Sequence, residues 1–140
     1  ISKKVIDWCM LYNSDTLVCG YNKEWKQESS MVKKVNQNFA GIPYEIFINM
    51  LEYKCQNNGI KFILHEESYS SGTSFLDNEE PIKINYNKSR RVCRGLFVSN
   101  KGLKINADVN GSYQIMKKVF PNAFSHGIED CGFNPIRVGL

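Results

Sequence analysis

Apolar side chains at Val5, Trp8, Cys9 and Tyr12 recur at i, i+3, i+4 and i+7, the spacing of one helix face, and predict a helix over residues 2–12. Asn13-Ser14-Asp15 breaks that period. The run Thr16-Leu17-Val18-Cys19 is apolar, partly β-branched and closed by Gly20, the composition of a buried strand. Residues 21–41 are polar, lack a period and predict a long loop. Pro43 suits the first turn of a helix, and Ile46, Phe47, Met50, Leu51 and Cys55 then keep helical spacing until Gly59. Residues 60–65 predict a second strand. Strand, helix of about 15 residues and strand make a parallel crossover unit, so the fold class is α/β.

Polar Glu66-Glu67-Ser68-Tyr69-Ser70-Ser71-Gly72 leaves the second strand at its C-terminal end, the edge where open α/β sheets build their sites. Residues 73–105 predict an irregular insertion containing a β-hairpin, in which 92–98 turns through Ser99-Asn100-Lys101-Gly102 into Leu103-Lys104-Ile105. A helix bearing Val109, Ile115, Met116, Val119 and Phe120 follows and stops at Pro121. Two strands are too few for an independent sheet. Because the first residue is also not Met, the expectation is the second half of an α/β domain whose first strands precede Ile1.

The 140 residues, 42% of them hydrophobic, suffice for one core. Apolar runs such as Phe62-Ile63-Leu64 fall far short of the roughly 20 residues that a membrane helix needs, so a membrane is not among the expected partners. Cys9, Cys19, Cys55, Cys93 and Cys131 are widely spaced, with no CxxC pair, and read as reduced thiols of a cytoplasmic protein. The formal charge is +4, but its placement says more. Residues 82–107 hold Lys83, Lys88, Arg90, Arg91, Arg94, Lys101 and Lys104 and no acidic residue. A solvated face and a phosphate-contacting surface both fit that run. On the second reading Lys88, Arg90, Arg91, Arg94, Lys101 and Lys104 contact nucleic acid, because unopposed cations gain from counterion release. Tyr86 and Phe97 interleave as candidate stacking rings.

Asp108 lies at a helix start, where a carboxylate serves as N-cap or as metal ligand. Glu66 and Glu67 lie where a strand enters a loop, a place for solvated surface or for a site. Carboxylates gathered at one end of a sheet suit Mg²⁺-dependent phosphodiester hydrolysis, in which two hard cations clamp the attacking and leaving oxygens. His65 and His126 have no partner at metal-ligand spacing, and no Gly-rich phosphate loop, nucleophile elbow or HExxH occurs.

Several stretches, collinear along the chain, carry a family resemblance: Leu17-Val18-Cys19-Gly20 through Trp25-Lys26-Gln27, Asn36-Gln37-Asn38-Phe39 with Ile42-Pro43, and Glu66-Glu67-Ser68-Tyr69-Ser70-Ser71 with Ser74-Phe75-Leu76-Asp77. Arg90-Arg91 through Arg94-Gly95-Leu96-Phe97 and Ile105-Asn106-Ala107-Asp108-Val109-Asn110-Gly111 complete it. The chain resembles the C-terminal part of TnpB, also called OrfB, the RuvC-like RNA-guided endonuclease of bacterial insertion sequences. The resemblance implies a partial RuvC/RNase H-like α/β fold, a parallel strand-helix-strand unit plus a C-terminal helix, with an irregular β-hairpin insertion replacing a zinc ribbon. It implies segments 1–72 and 105–121 of the nuclease domain, the degenerate ribbon-like basic insertion 73–104, and a tail, 122–140.

Asp108 matches the family's third RuvC carboxylate, in a stretch that usually reads Asp-Arg-Asp-Val-Asn, and Asn106 replaces the first of those aspartates. The second carboxylate is commonly a glutamate where Gly20 stands. A rearranged branch supplies it from the Glu-Ser-Tyr-Thr-Ser stretch, which Glu67 matches, with Glu66 beside it as the alternative. Glu67 and Asp108 are therefore the implied catalytic and Mg²⁺ ligands, and DNA and a guide RNA the implied partners, in a bacterial cytoplasm. The first carboxylate has no counterpart, so this chain alone is expected not to cut. A nucleic-acid-binding remnant or regulator is the alternative reading, and an inert truncated frame a third. The family's four-cysteine ribbon is reduced to Cys93, and one thiolate cannot hold a tetrahedral ion. No bound zinc is expected; about one zinc per chain by elemental analysis would overturn this.

Overall fold

The computed structural model describes residues 1–22 and 44–126, in two units, Ile1–Leu64 and His65–Leu140. Most of the loop expected over 21–41, the Pro43 start signal and most of the expected tail lie outside the described residues. The first unit runs α1 (Ser2–Leu11), β1 (Thr16–Tyr21), α2 (Tyr44–Asn57) and β2 (Lys61–Glu66), whose last two residues belong to the second unit. β1 and β2 form the parallel pair that the crossover pattern predicts.

Both helices turn a slightly different face inward from the one expected. α1 buries Ser2, Ile6 and Cys9 and leaves Trp8 and Tyr12 exposed; α2 buries Ile48, Leu51 and Cys55 and leaves Ile46 and Met50 exposed. The two helices pack on each other, and Lys54 of α2 donates to the Ser2 hydroxyl at 2.7 Å, which brings the Ser2 side of α1 inward. Ile6, Cys9, Cys55 and Ile60 make the core, closed by Val5, Leu17 and Phe62. Burial pushes both thiols, Cys9 and Cys55, above their ordinary pKa, so they pack as small apolar groups.

Gly59 shows why α2 stops where it does. With φ at 69° it takes the left-handed position that ends a helix, and its N–H donates to Gln56 O at 3.3 Å while Ile60 N–H donates to Cys55 O at 2.9 Å. This pair of bonds is a Schellman motif. It returns Ile60 to the core beside Cys55, and Lys61 N–H then reaches Asp15 O at 2.8 Å as β2 begins.

In the second unit β3 (Arg91–Cys93), β4 (Leu96–Val98) and β5 (Lys104–Asn106) form an antiparallel meander, followed by α3 (Ala107–Val119). The expected hairpin is β4 and β5, with Phe97 opposite Ile105. The strand expected over 92–98 is broken in two, because Gly95 at φ 84° turns the chain between β3 and β4. Phe97, Ile105 and Ala107 form the core, with Leu76, Val109 and Tyr113 against it. Phe97 is 0% exposed, so this ring is a core residue and not a stacking surface.

α3 is capped by Asn106, whose side-chain oxygen accepts from Asp108 N–H at 2.9 Å and Val109 N–H at 3.1 Å. The cap is therefore Asn106, and Asp108 stands free of that duty in the first turn. The fully inward positions of α3 are Ala107, Asn110 and Gln114, while Ile115, Met116 and Val119 are only half-buried. What this stripe faces is backbone. Asn110 accepts from Phe75 N–H at 3.0 Å and donates to Thr73 O at 2.8 Å, and Gln114 donates to Glu79 O at 3.2 Å. Lys117 donates to Asn78 Oδ1 at 2.6 Å, and Lys118 to Glu66 O at 3.1 Å and Ser68 O at 2.6 Å. An irregular segment has no ladder of its own, so its buried backbone groups need such partners.

Glu79 ties the insertion together. Its carboxylate takes an ion pair from Arg90, the Ser74 N–H at 2.8 Å and the Asn100 amide at 2.9 Å, while Asp77 accepts Asn100 N–H at 2.6 Å. Burial pushes both carboxyls upward, but the hydrogen bonds outweigh it and leave each below its ordinary value. They come from Ser74, Asn100 and Lys101 at Asp77, and from Arg90, Ser74 and Asn100 at Glu79; the Arg90 charge adds to both.

Two tests follow from these contacts. Asn110→Leu keeps the volume but strands one buried N–H and one carbonyl, and is expected to lower unfolding free energy by about 2–5 kcal/mol in urea melts followed by tyrosine signal. A near-neutral result would remove the stripe from its structural role. Depressed carboxyl pKa values contribute stability above the ordinary range, 3.8 for Asp and 4.5 for Glu, and lose it as pH falls through the depressed values. Acid titration should therefore unfold the second unit below that range, and Glu79→Gln should lower stability at neutral pH and flatten the acid limb.

Candidate active site and nucleic-acid surface

β2 ends at Glu66 and delivers Glu67 into a tight turn. The Ser70 N–H and hydroxyl both donate to Glu67 O, at 3.1 and 2.7 Å, and the Thr73 hydroxyl donates to Tyr69 O at 2.8 Å. Glu66 folds its carboxylate back onto the Ser68 N–H, at 3.2 Å, and onto the Ser68 hydroxyl. Glu67 is different: its half-buried carboxylate has no hydrogen-bond partner among the described residues. Burial raises its pKa, the neighbouring Glu66 raises it further, and Lys118 opposes both. Lys118 bonds the carbonyls of Glu66 and Ser68, so its ammonium brackets Glu67 from either side along the backbone. Burial lowers the pKa of Lys118 itself, against the pull of Glu66 and Glu67.

Asp108 is presented on the first turn of α3 with its side chain 80% exposed, paired to Arg91 at 3.3 Å. A carboxylate there is favoured by the helix dipole. Ten residues of α3 separate Asp108 from Lys118, about 15 Å of axial rise. Asp108, paired to Arg91 of β3, and Lys118, which brackets Glu67, thus lie at opposite ends of α3. Oxygen donors of this kind fit a hard divalent cation, but among the described residues no group of three His, Cys, Asp or Glu side chains comes together.

The six candidate cations divide. Arg90 is turned inward to Glu79, with its side chain 14% exposed, and Arg91 is engaged by Asp108. Lys88, Arg94, Lys101 and Lys104 are exposed and carry no ion pair among the described residues. Glu79 escaped the sequence reading because it lies just outside the acid-free run over 82–107; an acidic residue adjoining a basic run was the available signal. Lys118 gave no signal, since a lysine in a last turn reads as dipole compensation. No helix among the described residues is long and apolar enough to cross a membrane.

Residues 44–115 match the family described as Cas12f1-like, TNB domain. No curated protein matches. Among solved structures, a chain of a cryo-EM Cas12f1-sgRNA-target DNA complex is similar, with a TM-score of 0.59 and 20% identity over 81% of this chain. The present chain spans 31% of the length of that protein, and the likeness is one of fold. With more than half of its residues inside the family match, the chain belongs to the Cas12f1-like TNB domain family.

Proposed function

We propose that this chain is part of a TnpB/OrfB-like RNA-guided DNA endonuclease and carries two of its metal-binding carboxylates, Glu67 and Asp108. Lys88, Arg94, Lys101 and Lys104 form its nucleic-acid surface, with DNA and a guide RNA as partners of the intact protein and transposition of the encoding element as the process served. The observation that carries this reading is Glu67, a half-buried carboxylate without a hydrogen-bond partner among the described residues. Its oxygens remain within reach of solvent, so a hard cation could take the place of water there. Asp108 supports it, being exposed on a helix start with only a solvent-accessible arginine to displace. Mg²⁺ held there would polarise a phosphoryl oxygen and lower the pKa of attacking water. Glu67 and Asp108 are the carboxylates this reading assigns to metal, and Lys118 would fix the backbone on both sides of Glu67. The Cas12f1 likeness, found in a complex with sgRNA and target DNA, points the same way.

A second reading, a nuclease-inactive nucleic-acid-binding remnant or regulator, is favoured by Gly20 at the usual glutamate position and by the incomplete ligand set among the described residues. One experiment separates them. In the intact protein with guide RNA and Mg²⁺, Glu67→Gln and Asp108→Asn should each lower cleavage by more than about 100-fold, beyond the effect of disturbing an outer-shell partner. Target binding should remain. Cleavage indifferent to both substitutions would refute the assignment, and binding without any cleavage would establish the remnant. With the present chain alone, Lys88→Ala or Arg94→Ala should each flatten the salt dependence of DNA binding by about one unit of slope.

A further inference from the structure

Tyr69 sits two residues beyond Glu67 with φ at 66°, a left-handed conformation that a bulky side chain rarely adopts. The turn over-determines it: the Ser70 N–H and hydroxyl close on Glu67 O, and the Thr73 hydroxyl closes on the carbonyl of Tyr69 itself. Strain of this kind persists where the surroundings enforce it, and such places cluster at functional sites. The consequence is an outward ring, 38% exposed, that meets Tyr86 edge to face with centroids 5.7 Å apart and planes at 71°. A T-shaped pair covers at most one face of either ring, so one face of Tyr69 is left by Tyr86.

Tyr86 is anchored rather than mobile. Gly72 lies directly against its ring, where a Cβ would come within 2.4 Å, and Asn87 N–H donates to Gly72 O at 2.9 Å. Two short 3₁₀ turns, Lys83–Asn85 and Lys88–Arg90, flank Tyr86 and expose Lys83 and Lys88, neither ion-paired among the described residues. An outward ring on a fixed support with ammonium groups nearby is the pairing that single strands take, base on ring and phosphate on cation. Duplex bases have both faces covered by their neighbours, so the ring discriminates for unpaired ones.

We propose that Tyr69, backed by Tyr86, is a stacking platform for one unpaired base of a single strand whose phosphates lie on Lys83 and Lys88. Its place beside the metal carboxylate Glu67 rests on the function proposed above. The test is fluorescence anisotropy of the 140-residue chain with a labelled oligothymidine and with an abasic strand of equal length. Tyr69→Leu, which keeps apolar bulk without a ring, should weaken binding to the base-bearing strand by about five- to a hundredfold, the effect of one stacked base. Tyr69→Phe should bind as the parent does, and no Tyr69 variant should alter binding to the abasic strand. Equal affinity of Tyr69→Leu and parent for oligothymidine would overturn the platform, as would an equal loss in Tyr69→Phe. If that occurs while Lys88→Ala and Arg94→Ala still flatten the salt dependence, the platform fails and the basic surface stands. Absence of salt-dependent binding altogether would defeat both.

Discussion

The second unit depends on one arrangement, the polar stripe of α3 laid against a segment that has no secondary structure to satisfy its own backbone. Asn110, Gln114, Lys117 and Lys118 give residues 66–79 the partners a sheet ladder would otherwise provide. A stripe of leucines would bury more apolar area and leave those amides and carbonyls unpaired, which is the more expensive outcome. The bonds also fix register. Each side chain reaches particular backbone groups, Asn110, Lys117 and Lys118 two apiece, so sliding the segment by a residue would break them together. Glu67 and Tyr69 are held in that segment, Asp108 lies in the first turn of the helix and Lys118 in the last, so these side chains inherit their positions from α3.

Charge is distributed by the same logic. An arginine drawn inward to a carboxylate loses hydration that the pair only partly recovers, so Arg90 and Glu79 add little net stability as a pair. Their value lies in geometry. Glu79 also gathers Ser74 and Asn100, and so joins the turn before the 3₁₀ segments to the β4–β5 loop. The polar knot cross-links this insertion through side chains alone. One cation of the basic run is thereby withdrawn from the surface. The remaining cations, in the 3₁₀ turns, at the hairpin turns and at the starts of β3 and β5, are exposed.

The crossover unit was legible in the sequence because its signals are local: β-branched runs, a helical period, and Gly59 at a position that demands positive φ. Which face of α1 and α2 turned inward was not, because that depends on the other helix and on Lys54 reaching Ser2. Phe97 could have been placed by strand alternation. Leu96 and Val98 are half-exposed around it and Ile105 stands opposite, so the core side was encoded in the hairpin itself. The helix start around Asp108 was readable from its surrounding stretch, whereas the Glu79 to Arg90 pair spans an irregular segment without a period to announce it. The polar face of α3 was hidden for a related reason. Periodicity arguments count apolar residues, and here the inward positions are an Asn and a Gln.

Asn106 shows how a departure from a family pattern can be structural in origin and electrostatic in effect. Asn and Asp cap a helix about equally well, and Asn106 makes both cap bonds, so the exchange leaves the start of α3 intact. It does remove a charge. An aspartate at 106 would place a second anion in the turn that holds Asp108, where it would compete for Arg91. With a neutral cap, Asp108 is the acidic residue of that turn and Arg91 its counter-charge, a single exposed pair of the kind that exchanges readily with water and salt. A carboxylate so placed is held by a rigid helix start and bound to nothing that a divalent cation could not displace.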